Sequence, residues 1–290
     1  MAYVMLSRVQ AIDQLFILNK LDSEKFYTDK AAQKECENMK EKCLNSNPTV
    51  WERDGAMLKV SLLNINRLRS KLPDLAADQL ILKSDVICLG ETWLESDEVD
   101  LALSLPGYQL TLNSAGPGKG VATYYRADEL SFKTNVKTEK AQVTKLSSAN
   151  LDVINIYRSA GATDLDLVTS LGQIIDQTRL TLIVGDLNLC YVKKRDSLFL
   201  KYLDSLNFKQ MTPKATHIAG GTLDLVYSNH AVVAGYKVEA QVYSPWYTYN
   251  DHDALLITVS LVSYLLLKFS QILLFYTERN TPARIQTCKT

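Results

Sequence analysis

Polar residues stand where the most apolar segments of this chain stop. The run TLIVGDLN ends in a carboxylate and an amide, Asp186 and Asn188, while LKVSLLN ends in Asn64 and DVICLGE in Glu91. A carboxylate can bind a cation or take a proton from water, and an amide can donate to an anion without adding negative charge. With Leu187 turned toward the core, Asp186 and Asn188 share one side of the chain.

Three further segments repeat this pattern. LDVINIY ends in Tyr157 and is followed by Arg158, TLDLVYSN carries Asp224, and YNDHDALL places Asp251 and His252 before the last apolar run. One polar strand end is ordinary, because strands run into loops. Several such ends on adjacent strands would gather along one edge of a sheet and form a single cleft.

Carboxylates crowded into such a cleft repel each other, and isolated buried charges are expensive. A divalent cation would compensate them. Oxygen ligands favour Mg²⁺, with Mn²⁺ as the alternative, over zinc.

The elements that must position these residues alternate irregularly. Helices are predicted at KLPDLAADQLILK, ATDLDLVTSLGQIIDQT and SLFLKYLDSL, and the apolar runs predict strands LKVSLLN, DVICLGE, VATYYR, LDVINIY, TLIVGD, TLDLVYS, YKVEAQVY and ALLITVS. Strands outnumber helices, which favours packed sheets with helices outside over a simple doubly wound sheet.

Three regions follow from changes in composition. Residues 1–56 read as a helical N-terminal extension, 57–260 as the main domain, and 261–290 as an apolar helix with a frayed tail. Lys268 interrupts the apolar C-terminal run, which is shorter beyond the last strand than the ~20 residues of a membrane span. The run predicts a packed terminal helix or, alternatively, a membrane-associated or partner-binding helix, and no stable membrane span is expected.

The totals describe an ordinary globular chain. It has 290 residues, 47% hydrophobic and 22% charged, with 32 basic and 32 acidic side chains. This composition gives no hint of a nucleic-acid partner, although a neutral total is compatible with a basic rim around an acidic centre. The basic stretches 67–71 and 193–195 are either solvated surface or residues that bind a phosphate backbone. Five cysteines without a CxxC motif, and no secretory signal, predict reduced thiols in an intracellular protein.

The series LLNINRLRSK, LGETWL, NIYRS, IVGDLNL, THIAGGTLDLVYSN and NDHDALL resembles the endonuclease/exonuclease/phosphatase superfamily. Its nearest likeness is to the endonuclease domain of LINE-type, non-LTR retrotransposons, over about residues 58–260. The resemblance implies an α+β fold, a four-layer αββα sandwich of two packed, mainly antiparallel sheets flanked by helices. The active site would lie at one edge of the two sheets.

The resemblance also implies roles at the metal and the attacking water. Glu91 would be the chief metal ligand, and Asp251 would help to bind the metal. Asn64 would lie in the metal's outer shell or contact the phosphate. Asp186 would orient or deprotonate the water, and Asn188 would hold that water or a phosphate oxygen.

Four further residues would act on the phosphate or support those that do. Tyr157 would hydrogen-bond the phosphate or the leaving group, and His252 would contact the scissile phosphate. Asp224 would accept a bond from His252 and fix its tautomer. Thr216 matches a threonine that lines the site in retroelement endonucleases, and Arg158 is assigned with it to substrate binding.

The chain departs from the retroelement pattern in places. Relatives often carry Gly or Ser where Arg67 stands, SDH in place of residues 250–252, and a proline after YRS or YRP. His217 and His230 are interpreted as structural, and SAGPGKG as a hairpin loop, because it lacks the spacing and ending of a P-loop. Trp93 either packs under the cleft or contacts a nucleobase.

The sequence therefore predicts an Mg²⁺-dependent phosphodiesterase that nicks one strand of DNA and derives from a retroelement. It would be intracellular, and nuclear if it acts on chromosomal DNA. The alternatives are a non-catalytic remnant serving as a binding or scaffold domain, and a sister enzyme acting on RNA, inositol phosphates or lipids.

Overall fold

The structure, a computed structural model, describes residues 56–128, 130–189, 197–233, 235–245 and 251–262. The predicted N-terminal extension and apolar C-terminal segment lie outside these ranges apart from their inner ends. The basic stretch 193–195 also lies outside them. None of the helices in the described ranges combines the length and apolar character that a membrane crossing requires.

Twelve strands form two six-stranded sheets. They are β1 (Ala56–Asn64), β2 (Val86–Gly90), β3 (Gln109–Asn113), β4 (Val121–Tyr125), β5 (Ser131–Lys137), β6 (Ala141–Ser147), β7 (Leu151–Arg158), β8 (Leu180–Asp186), β9 (Lys209–Gln210), β10 (Asp224–Ser228), β11 (Tyr236–Tyr243) and β12 (Ala254–Leu261). The first sheet has the order β11-β12-β1-β2-β4-β3, and the second has the order β5-β6-β7-β8-β10-β9. Each sheet contains one parallel pair, β1 with β2 and β7 with β8, and all its other pairs are antiparallel.

The helices cover the outer faces of the sheets. Within the described ranges they are α1 (Leu68–Ala77), α2 (Asp164–Gly172) and α3 (Leu198–Ser205), with short 3₁₀ turns at Ile81–Lys83 and Leu101–Leu103. Leu68 and Leu75 of α1 pack on the first sheet, while Leu171 of α2 and Phe199 of α3 pack on the second. A third apolar cluster lies between the sheets and includes Leu62, Val184 and Val226. These four layers confirm the predicted αββα sandwich.

Two local signals in the sequence explain how the helices begin. Thr163 caps α2 through its side-chain oxygen, and Asp166 reaches back to the Thr163 backbone to complete a capping box. Ser197 caps α3 in the same way by accepting from the Leu200 backbone N–H. Both helices thus start just beyond the edge where β7 and β8 end, which places their first turns beside the candidate site.

Gly185 allows β7 and β8 to approach closely just before Asp186. A Cβ at this position would lie 1.9 Å from the Ile156 carbonyl oxygen. No side chain fits there, so the glycine of the GDLN motif is required by the packing of the two strands.

We therefore expect Gly185→Ala to destabilise the fold by about 3 kcal/mol or more, through overpacking and displacement of β8. Urea denaturation would measure this loss. Gly161→Ala is the matched control, because a Cβ at Gly161 meets no atom within 4 Å. Equal unfolding midpoints for the two variants would contradict the expectation.

Candidate active site

Three polar side chains form one row across the end of the second sheet. Tyr157 of β7 is the register partner of Asp186 on β8, and Asp186 is the partner of Asp224 on β10. All three are almost fully buried. Because facing residues in a sheet share one side, the row lies at the end of the apolar layer between the sheets.

The first sheet supplies the opposite wall. Asn64 ends β1 and pairs in register with Gly90, which ends β2 and precedes Glu91. The Asn64 side-chain amide donates a hydrogen bond of 2.9 Å to Oδ2 of Asp186. The two sheets therefore meet at this edge through polar side chains.

Asp186 is held in an unusual electrostatic state. Its Oδ1 accepts from the Asn188 backbone N–H at 2.9 Å. Burial, followed by the charge of Asp224, raises the pKa of Asp186 to about 7, although His252 and the Asn188 bond lower it. A carboxyl group with this pKa can gain or lose a proton near neutral pH.

His252 carries the positive charge of the site. Its Nδ1 lies 2.8 Å from Oδ2 of Asp224, which leaves Nε2 for a ligand. Burial alone would lower the pKa of His252, but the hydrogen bond and charge of Asp224, and the charges of Asp186 and Glu91, raise it to about 9. His252 is therefore an imidazolium at neutral pH.

Tyr157 connects the two walls. Its hydroxyl lies 3.1 Å from Glu91 Oε1 and 2.8 Å from the Gly118 carbonyl oxygen, and it donates its proton to these acceptors. Burial and the negative charges of Glu91 and Asp186 raise the pKa of Tyr157. The phenol thus stays neutral and serves as a donor.

The backbone near the site is strained. Glu91 has φ 52° and Asn188 has φ 46°, and both fall in the left-handed region that non-glycine residues seldom adopt. The Asn188 side-chain amide donates to the Arg158 carbonyl oxygen at 2.8 Å, which fixes its turn. Strain of this kind gathers at functional sites, where the surrounding structure holds it.

The donor set fits a divalent cation. Oxygens of Asp186 and Asp224 and a ring nitrogen of His252 lie within 4.8 Å of one another, and the protonated His252 leaves the two carboxyl groups as the donors of this cluster. Three carboxyl groups, of Glu91, Asp186 and Asp224, face one imidazole, and Oδ1 of Asp224 is buried without a hydrogen-bond partner among the described residues. Oxygen-rich sites of this kind suit hard cations.

Two residues predicted to bind substrate lie behind the site. The two terminal guanidinium nitrogens of Arg158 donate hydrogen bonds within the protein. The acceptors are the carbonyl oxygens of Leu187 and Ala162 and the carboxylate of Asp164. Thr216 is fully buried, and its hydroxyl accepts from the backbone N–H groups of Leu223 and Asp224. As placed, Arg158 and Thr216 position the backbone near Asn188 and Asp224 and do not present their side chains to a ligand.

Asp251, predicted to be a metal ligand, lies at the rim. Its side chain is 71% exposed, and its carboxylate is 4.0 Å from Nε2 of His217. It is not a member of the cluster formed by Asp186, Asp224 and His252. The structure therefore places Asp251 on the exposed rim, whereas Asp186 and Asp224 are buried.

His217 is a neighbour of the site that the sequence did not reveal. Its ring packs edge-on against His252 at a centroid distance of 4.9 Å, and the two backbones form an isolated bridge. Its Nδ1 accepts from the Ala219 backbone N–H. In the sequence, only its position directly after Thr216 indicated that it lies near the site. A single histidine in a polar loop belongs to no repeating pattern of residues that would predict its location.

The class of protein that carries this two-sheet sandwich and its polar edge follows from a family comparison. The family model described as "Endonuclease/Exonuclease/phosphatase family" matches residues 62–241, more than half of the chain, and the chain belongs to this family. No curated protein sequence matches it.

Solved structures show the same fold. The endonuclease domain of TRAS1, a telomere-specific non-LTR retrotransposon, superposes with a TM-score of 0.55 at 13% identity, covering 70% of this chain and 98% of that one. An AP endonuclease from Archaeoglobus fulgidus gives 0.55 at 16% identity, with coverages of 69% and 98%. The human Nocturnin catalytic domain gives 0.53 at 19%, with 75% and 100%. These similarities concern the fold.

Proposed function

We propose that this protein is an Mg²⁺-dependent DNA endonuclease that nicks one strand by attack of water on a phosphodiester. The observation that carries the proposal is the row Tyr157, Asp186 and Asp224, closed by Asn64 from the other sheet and by His252. This set brings together a candidate base, Asp186, a positively charged imidazolium, His252, and neutral hydrogen-bond donors.

Asp186 is the proposed base. Its pKa of about 7 lets it accept a proton from water near neutral pH. Asn64 and the Asn188 backbone N–H hold the two carboxylate oxygens, so the carboxylate keeps one orientation.

His252 and Tyr157 are the proposed phosphate contacts. The imidazolium, held at Nδ1 by Asp224, donates from Nε2 to an anionic oxygen as negative charge grows there. The phenol of Tyr157 donates without adding charge, since its pKa is raised. Asn188 has a second amide N–H for this purpose, besides the one that bonds the Arg158 carbonyl oxygen.

Glu91 would hold the metal ion, and Mn²⁺ would substitute for Mg²⁺. The ion would supply Lewis-acid stabilisation of the phosphate charge. Asp251 remains the proposed second ligand of the sequence pattern, although its exposed carboxylate lies apart from the cluster.

DNA is the proposed substrate because two of the solved structures with this fold are described as endonucleases, one of them from a non-LTR retrotransposon. A retroelement origin and action on chromosomal DNA in the nucleus are parts of the same proposal. A non-catalytic scaffold is disfavoured by the buried, strained carboxylates, which a binding domain would have no need to retain.

Plasmid nicking tests the proposal. With Mg²⁺, the wild-type chain should relax supercoiled plasmid, EDTA should stop it, and Glu91→Gln should lose roughly 100-fold or more of the rate because it weakens the metal site. Glu95→Gln is the matched control, since Glu95 is exposed on the same loop.

Parallel assays on RNA and on an inositol phosphate separate the alternatives. Activity on either of these and none on DNA would move the protein to a sister activity. Metal-independent nicking, or equal losses for Glu91→Gln and Glu95→Gln, would contradict the proposed metal site.

A further inference from the structure

We propose that Arg67, stacked on Trp93, binds a backbone phosphate of the nucleic-acid strand next to the scissile one. This inference rests on the proposed function, because it assigns a substrate contact at the same site. It concerns a residue outside the catalytic set.

The position of the pair relative to the site comes from backbone bonds. The Arg67 N–H donates to the Glu91 carbonyl oxygen at 3.0 Å, and the Leu68 N–H donates to that of Thr92 at 3.1 Å. The loop after Asn64 therefore runs alongside the loop after Glu91. Trp93 follows Glu91 by two residues, so the pair lies directly beside the candidate metal ligand.

The pair is also connected to Tyr157. The Tyr157 hydroxyl contacts the Gly118 carbonyl oxygen, and a Cβ on Gly118 would lie 4.0 Å from the Trp93 ring. The indole thus packs under the loop that the catalytic phenol touches. A strand whose scissile phosphate meets Tyr157 would pass this wall.

The guanidinium geometry suits a phosphate. Its central carbon lies 4.3 Å from the centroid of the Trp93 ring. Stacking uses the face of the guanidinium and leaves its N–H edge free for two parallel bonds to an anion.

Charge favours the same conclusion. Among the described residues, no carboxylate forms an ion pair with Arg67, whereas nearby Arg69 is paired with Asp100 at 2.8 Å. A polyanion that approaches Glu91, Asp186 and Asp224 meets three carboxylates. An unpaired cation on the rim offsets that repulsion where the strand enters.

The backbone of both residues is strained for this arrangement. Arg67 has φ 78° and Trp93 has φ 59°, in the left-handed region. Glycine would adopt φ 78° without strain, so folding alone gives no reason for an arginine here. The strained arginine points to a role in binding.

Binding of a fluorescein-labelled 20-base-pair DNA duplex to the full chain in EDTA tests this contact without cleavage. Arg67→Gly should weaken binding about tenfold and lower the slope of log K against log salt concentration by about one. Its melting temperature should equal or exceed that of wild type, because glycine relieves the strained φ.

Arg126→Ala is the matched control. Arg126 also stacks on an aromatic ring, 4.9 Å above Tyr108, but it follows β4 at the opposite end of the first sheet. This variant should keep wild-type affinity and salt slope. Equal changes in both variants, or none in Arg67→Gly, would overturn the proposal.

Two further variants test the stacked geometry. Arg67→Lys keeps the charge but not the planar fork, and should recover only part of the affinity. Trp93→Leu should weaken binding in wild type and add little to Arg67→Gly, since the two residues act as one unit. Full additivity of the two losses would contradict the stacked contact.

Neutral methylphosphonate linkages, placed singly on either side of the cleaved bond, identify the phosphate. The linkage that impairs wild-type cleavage but adds no loss to Arg67→Gly marks the contact.

The two proposals fail separately. If no phosphodiester is cleaved in Mg²⁺, the proposed function fails and the binding arm still decides Arg67. If wild type nicks DNA and Arg67→Gly binds as wild type does, only this inference fails.

Discussion

Asp186→Asn is expected to abolish cleavage and to stabilise the metal-free protein. The activity loss should be roughly 10²- to 10⁴-fold, the usual contribution of a positioned general base. The stability gain follows from burial and from Asp224, which raise the pKa of Asp186 from 3.8 to about 7. Above pH 7 such a shift means that the ionised carboxylate lowers the free energy of unfolding by roughly 4 kcal/mol. The amide of the variant removes this cost and loses one hydrogen bond, which is worth only about 1 kcal/mol.

The sign of the pH effect is fixed by that shift. The folded protein binds more protons than the unfolded chain between about pH 4 and 7, so this carboxyl group makes the free energy of unfolding fall as pH rises through that window. An amide does not titrate, and the variant should lack this part of the fall. Urea denaturation in EDTA at pH 5 and pH 8 would measure the difference between the two proteins.

Asp204→Asn provides the control, since Asp204 is exposed on α3. It should match wild type in both nicking rate and stability. A variant Asp186→Asn that unfolds more easily than wild type at pH 8 would show that the carboxylate is not strained in the folded state.

His252→Gln should lower kcat/KM by roughly 10²- to 10³-fold, because it removes the cationic donor to the phosphate. Asp224→Asn should do less to the rate and more to its pH dependence. The Asp224 hydrogen bond and charge are what raise the pKa of His252, against burial, to about 9. Without them the alkaline limb of the pH–rate profile should move to lower pH.

The proposed mechanism requires the imidazolium, so activity should be present below the His252 pKa and be lost as pH rises through about 9. The same raised pKa contributes stability below about pH 6.5 that disappears as pH rises through the folded value. The acid limb of the pH–rate profile, which the proposed base Asp186 would set near pH 7, should move to lower pH when Mg²⁺ is added. The cation favours the ionised carboxylate and so lowers its pKa.

The control for the imidazole is His230→Gln. His230 follows β10 at the end opposite Asp224, and burial lowers its pKa. Its replacement should leave both limbs of the profile in place. An alkaline limb that stays near pH 9 in Asp224→Asn would contradict the assigned pair.

The sequence predicted the sandwich because apolar strand runs and their polar ends carry strong local signals. It missed β5, since an edge strand such as SFKTNVK is mostly exposed and its alternation is polar. It also did not name β3, β6 or the two-residue β9 as strands. The αββα layers came from the family resemblance as well as from the strand pattern.

The candidate site was predicted in its residue types but not in every role. Register across strands, which no local pattern encodes, decides that Tyr157, Asp186 and Asp224 share a row. Side-chain direction decides that Arg158 and Thr216 face the protein. The contact between His217 and His252 depends on a bridge between segments far apart in the chain.

The first and last strands of the sandwich are neighbours, with Ala56 opposite Ser260. Asn64, at the other end of β1, lies on the catalytic edge. The chain therefore enters and leaves the sandwich side by side, at the end remote from the cleft. Compact units with adjoining termini tolerate transplantation into longer polypeptides, so this unit could be fused within a larger protein without its attachment points blocking the cleft.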